Sequence, residues 1–217
     1  IKVSGQDVAV DPEVIHALPV SLGDVLKSME LKGKVAFDFS KLIYRPIPEI
    51  IPAVGPLASL DGPPLPMKGA PTADLDFAVK VSTKAAAMSV GVPLAEVDGS
   101  IALDGTVRQG RVSELNGLVN VASMKLAGRE AKDFSATLTK PLDLPALQFS
   151  KMQGTLAGGT LAGQVDVVYP DDGPARYAMN LVLHEADIKE LAGPSEKNVS
   201  GQLNASLALE GNWTDAK

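Results

Sequence analysis

From Gln153 to Asn212 the chain repeats one phrase: a glycine, apolar side chains at every second position, then a turn. It runs through QGTLAGGTLAGQVDV (Gln153 to Val167), RYAMNLVLHEADIKELAG (Arg176 to Gly193) and SGQLNASLALEGNW (Ser200 to Trp213). In the last, Leu203, Ala205, Leu207 and Leu209 alternate with Gln202, Asn204, Ser206 and Ala208. A period of two puts the leucines on one face of a strand and the polar residues on the other. DIKELA, Asp187 to Ala192, is the one helical turn in this stretch and fills the gap between two strands.

The same alternation extends backwards to Asp74. It places Phe77, Val79 and Val81 on one side of a strand, Met88, Val90 and Val92 on one side of a second, and Ile101 and Leu103 on a third. Phase slips near Ala122, from Val119 and Val121 to Met124 and Leu126, which predicts a bulge or twist. Phe134, Ala136 and Leu138 follow, and Pro141 and Pro145 bracket the next connection. Glycine-led phrases begin at Gly33, Gly99, Gly117, Gly154 and Gly201, at intervals too uneven for a fixed-period solenoid.

Residues 1–45 combine strand and helix. Ile1 to Val10 alternates as a strand. Asp11 is a favourable N-cap and Pro12 suits a first helical position, with Val14, Ile15 and Leu18 on one face. Pro19 interrupts, and Ser21 caps a second segment carrying Leu22, Val25, Leu26 and Met29. Two short amphipathic helices result, suited to plugging a sheet end or, less commonly, to lying on a membrane. A strand then opens at Gly33 with Val35, Phe37 and Phe39 on one side. Residues 46–73 form a Pro-rich insert, with eight of the chain's 16 prolines between Pro46 and Pro71. Such a segment cannot supply a regular ladder. Ile47, Ile50, Ile51, Val54, Leu57 and Leu60 make it greasier than a solvated linker, so it either packs across the sheet or docks a partner. Residues 74–217 are the antiparallel β region.

About ten strands joined mainly by hairpins pair antiparallel with their neighbours. At about 4.8 Å per strand they make a sheet about 50 Å across, more than two short helices can cover. The sheet therefore either folds over as a closed sandwich or curls into a trough with an apolar lining.

Composition narrows the use of that surface. Hydrophobic residues make up 45% of the 217 but aromatics only 4%, so Ala, Val and Leu supply the apolar area. The net charge of -6 argues against nucleic acid, which needs clustered Lys and Arg. Without cysteine there is no disulfide framework and no thiolate metal site. No apolar run reaches the roughly 18 to 20 residues of a membrane-spanning helix. No signal peptide stands at the start, and both ends look cut, so the expectation is a fragment of a longer chain.

Catalytic signals are weak, and the expectation is a non-enzymatic protein without cofactor or metal. The two histidines, His16 and His184, are far apart in sequence. His184 and Glu185 are neighbours, which in a regular strand face opposite ways. Gly154, Gly158, Gly159 and Gly163 mimic a phosphate loop, but no Lys-Ser or Lys-Thr pair follows. Asp171 and Asp172 read as a hairpin tip. Asn198, Asn204 and Asn212 each head a glycosylation sequon, relevant only on a eukaryotic secretory route.

The glycine-and-alternation phrases from Gln153 onward, together with DVAVDPEVIHALPVSLGDVLKSMELKGKVAF (Asp7 to Phe37), resemble the C-terminal repeat region of AsmA-like and TamB-like bacterial envelope proteins. The resemblance covers about 150 of the 217 residues; the Pro-rich insert departs from it. It implies a mainly β fold: an elongated, curled antiparallel sheet forming a taco-like groove, with one or two short amphipathic helices near the start. It implies a bridge-like lipid-transport protein in the periplasm of a diderm bacterium, anchored in the inner membrane by a segment outside this chain and serving outer-membrane biogenesis. The partners implied are phospholipid acyl chains, with an envelope protein at segment 46–71. An Ala/Val/Leu trough suits acyl chains, since each buried methylene contributes about 0.8 kcal/mol without directional contacts. The expected lining is Phe37, Phe39, Phe77, Val79, Val81, Ile101, Leu103, Val165, Val167, Met179, Leu181, Leu183, Leu203, Leu207 and Leu209. On alternation alone the same residues pack a closed core, and the chain is a structural or docking β-module.

Overall fold

The computed structural model describes residues 3–10, 13, 30–46, 73–89, 92–109, 111–142, 144–169, 174–193 and 199–213. They form one ten-stranded antiparallel sheet in which spatial order equals chain order. The strands are β1 (Val3–Ala9), β2 (Lys34–Pro46), β3 (Ala73–Ser89), β4 (Pro93–Arg108), β5 (Arg111–Leu126), β6 (Arg129–Lys140), β7 (Ala146–Leu156), β8 (Gly159–Val168), β9 (Ala175–Asp187) and β10 (Gln202–Trp213). One short helix, α1 (Ile188–Ala192), follows β9. The sheet is not closed: β1 pairs only with β2, and β10 only with β9, among the described residues. Apart from Glu13, the two helices expected over 11–29 lie outside the described residues, as does the Pro-rich segment from 47 to 72.

Most connections are tight, for a local chemical reason. Ala127 and Gly128 (φ 48° and 78°) join β5 to β6, and Ala157 and Gly158 (φ 49° and 73°) join β7 to β8. Two successive positive φ values mark the turn whose twist matches a hairpin, and glycine at the second position adopts it without steric cost. β3 continues through Met88 to Ser89, so Met88, expected on a separate strand, lies in the end of β3; Val90 lies outside the described residues, and Val92 is exposed in the link to β4.

Bulges organise the sheet as much as alternation does. Asp7, Ala85, Glu96, Asp133, Lys151 and Glu185 all have φ between 51° and 55°, and each sits where a ladder shifts register. An extra residue reverses which side the following residues face. In β3 the buried apolar positions are Phe77 and Val79 before the bulge but Ala86 after it. Ala122 is likewise skipped between Val121 and Ser123 in the pairing with β4, as the phase slip predicted. Amides displaced from the ladder are satisfied by a neighbouring strand: Asp98 Oδ1 accepts from the Ala85 amide at 2.6 Å, and Asn204 Oδ1 from the Glu185 amide at 2.9 Å.

The bulges separate two apolar clusters on one face. The first joins Phe77, Val79, Val107, Val112, Leu115 and Leu138; the second joins Ala86, Val97, Met124 and Ala131. On the opposite face an ionic group ties three strands together. Asp76 receives Arg45 Nη2 on one oxygen and Arg108 Nη2 on the other, each at 2.6 Å, and its pKa falls to about 2 because of those two bonds.

Candidate apolar site

Residues paired directly across antiparallel strands point to the same side, so register decides whether the expected lining forms one surface. One rank runs Phe39, Val79, Leu103, Gly117, Leu138, Phe149, Val165, Met179, Leu209, across nine strands. Beside it, Phe37 pairs with Val81, Val81 with Ile101 and Ile101 with Val119. Across the later strands, Gly163 pairs with Leu181 and Leu181 with Leu207. On the other side, Leu42 pairs with Phe77, and Leu147 with Val167, which pairs with Tyr177. Leu183 lies between Leu161 and Ala205, and Leu203 pairs with Ala186 at the far end. All fifteen residues singled out from the sequence therefore share one face.

The face grades from buried to open. Phe77, Val79 and Val167 are buried, whereas Leu203, Leu207 and Leu209 are exposed at 37%, 49% and 41%. The other nine are half-buried. The Phe37 and Phe39 rings meet edge-on, with centroids 5.8 Å apart. Strands pack against their sequence neighbours, and no described element forms a second layer over the face.

Sequence reading missed Leu42, Val107, Val112, Leu115, Leu138, Phe149 and Leu161, which belong to the same surface. Alternation marked several of them, but a bulge between two stretches hides which side each faces. Gly163 also belongs here. A Cβ on it would lie 2.3 Å from the Asn180 carbonyl oxygen and 2.6 Å from Leu181 Cδ2, so the absent side chain is what lets Leu181 lie across β8.

At the end of the face beyond the bulges lies α1. Asp187 caps it, its Oδ1 accepting from the amides of Lys189 at 2.7 Å and Glu190 at 3.4 Å. Arg129 reaches from the start of β6 to donate to the carbonyls of Leu191 and, at 3.1 Å, Ala192. DIKELA thus fills the gap predicted for it.

No family model, curated protein or solved structure matches this chain.

Polar chemistry elsewhere is sparse. His184 and Glu185 do not face apart as regular alternation predicts: the bulge at Glu185 brings its Oε2 within 3.8 Å of His184 Nδ1. Both side chains are more than half exposed, so solvent screens the pair. Among the described residues no three His, Cys, Asp or Glu side chains converge on a metal-sized space. No described helix is long and apolar enough to cross a membrane.

Proposed function

We propose that this chain is a non-enzymatic lipid-holding segment whose apolar face takes up acyl chains. The observation that carries this reading is the continuous register of the fifteen apolar positions, on a face that no described element covers. An area of that kind in water is unfavourable unless something apolar occupies it, at about 25 cal/mol per Å². The band of bulges supports a bent surface, since a bulge bends its strand. Repeated in β1, β3, β4, β6, β7 and β9, such bulges support a sheet curled into a trough. The trough needs no directional groups, because tails offer none.

The wider setting rests on the resemblance to AsmA-like and TamB-like proteins. In it, the segment belongs to a periplasmic bridge that moves phospholipid between the inner and outer membranes, is held by an inner-membrane anchor, and meets an envelope partner at segment 46–71. Native mass spectrometry of the chain purified from a bacterial periplasm tests the reading. Co-purifying phospholipid, lost when Leu181→Asp and Leu207→Asp are combined in a folded protein, is the expected result. A folded, lipid-free wild-type chain overturns it and leaves a structural β-module.

A further inference from the structure

The two ends of the apolar face differ in chemistry. Register puts Lys140 opposite the buried Leu115, and hence on the apolar face, at the end away from α1. Its ammonium donates to the Ser113 carbonyl at 3.1 Å, reaching the strand end while the stem stays beside apolar neighbours. Away from the bulges, Arg129 is the other described cation on this face, and it serves the α1 carbonyls at the opposite end.

The tyrosines gather at the Lys140 end: Tyr44 pairs with Leu75, Tyr177 with Val167, and Tyr169 follows β8 directly. The Tyr177 ring lies over Gly211, where an added Cβ would fall 2.8 Å from its hydroxyl. Phe77 shares Lys140's rank through Gly105 and Leu115, so a phenylalanine reaches this level but none lies beyond it. A tyrosine presents an apolar ring and a wet hydroxyl, which is why such residues collect where an apolar phase meets water.

We propose that Lys140, on the edge that the tyrosines mark, holds the phosphate-bearing head of an amphiphile whose tails lie on the apolar face. This rests on the lipid-holding reading and adds an orientation and a head chemistry to it. Length agrees. From Val167 to Leu161 along β8 is six residues, about 20 Å at 3.3 Å each. A tail in one leaflet spans about 15 Å, half of a 30 Å hydrocarbon core. A tail entering at Lys140 thus fits before the α1 end. The phosphate would accept from the ammonium as a charge-assisted hydrogen bond.

The test offers the 217-residue chain phosphatidylglycerol and diacylglycerol of identical tails and reads occupancy by native mass spectrometry, with inorganic phosphate as a separate probe. The wild type is expected to prefer phosphatidylglycerol about tenfold, the scale of one hydrogen bond to a charged group. Lys140→Glu should abolish the preference while diacylglycerol stays bound, and Tyr177→Phe, three strands away, should leave it unchanged. Circular dichroism checks that each variant is folded. Equal binding of both lipids by the wild type, or a preference unchanged in Lys140→Glu, overturns the rim assignment and leaves the lipid reading standing. Binding of neither lipid removes both. Saturation by inorganic phosphate alone, without a lipid preference, assigns the rim to free phosphate and also overturns the proposal.

Discussion

Leu138 and Leu207 are the same residue type on the same face, at 6% and 49% exposure. Truncating each to alanine measures whether the face is open where it looks open. Leu138 sits in a mid-sheet rank between Gly117 and Phe149, inside the first apolar cluster. Removing its side chain loses nearly the whole burial energy plus a cavity term, so Leu138→Ala should cost about 3 kcal/mol, within the usual range of 2–5. Leu207 lies on β10 and keeps about half its surface in water. Full burial of a leucine is worth about 1.5–3 kcal/mol, so half of it without a cavity gives about 1 kcal/mol for Leu207→Ala. Urea unfolding followed by far-UV circular dichroism, with and without added lipid, gives both numbers. Equal costs near 3 kcal/mol in lipid-free protein would refute the reasoning, since a protein layer would then have to cover Leu207.

Three further outcomes follow from particular contacts. Asp76 has a folded pKa of about 2 against an ordinary 3.8, so its contribution is complete above pH 4 and disappears as pH falls through 2; acid titration of Asp76→Asn should show a flatter stability loss over that window than the wild type. Gly163→Val should force β8 and β9 apart, since even a Cβ meets the Asn180 carbonyl oxygen at 2.3 Å; a loss of about 1–3 kcal/mol in chemical denaturation is expected from overpacking. Arg129→Ala leaves the last α1 carbonyls without their donor, so hydrogen exchange over residues 188–192 should speed up with no change in β3 or β4.

The strands were legible because alternation is a strong local signal, and because hairpins leave antiparallel pairing as the default. The triplet Leu-Ala-Gly shows where that legibility stops. It occurs at 126–128 and 156–158 as a hairpin turn, at 161–163 inside β8, and at 191–193 as the end of α1. Local propensity is the same in all four; the strand partner or the Asp187 cap decides the outcome. The lining was legible for a stronger reason, since register carries one face through every strand that alternates. Its missing members lie near bulges, where a left-handed residue such as Asp133 or Lys151 resets the phase with no glycine to announce it. The Lys140 rim was invisible for a different reason. Tyr44, Lys140 and Tyr177 are far apart in sequence, and only the shared end of a sheet brings them to one edge.

On the proposed function, one face, and not hydrophobic exposure in general, receives acyl chains. Leu118 and Val182 on the opposite face are 57% and 52% exposed, more than any of the fifteen lining residues, and so provide the control. The direct measurement is methyl NMR of the chain with phospholipid carrying a nitroxide at the end of one tail. Methyl signals of Val79, Leu103, Val165, Met179 and Leu209 are expected to broaden while those of Leu118 and Val182 stay sharp. Broadening of both sets to the same degree would contradict it.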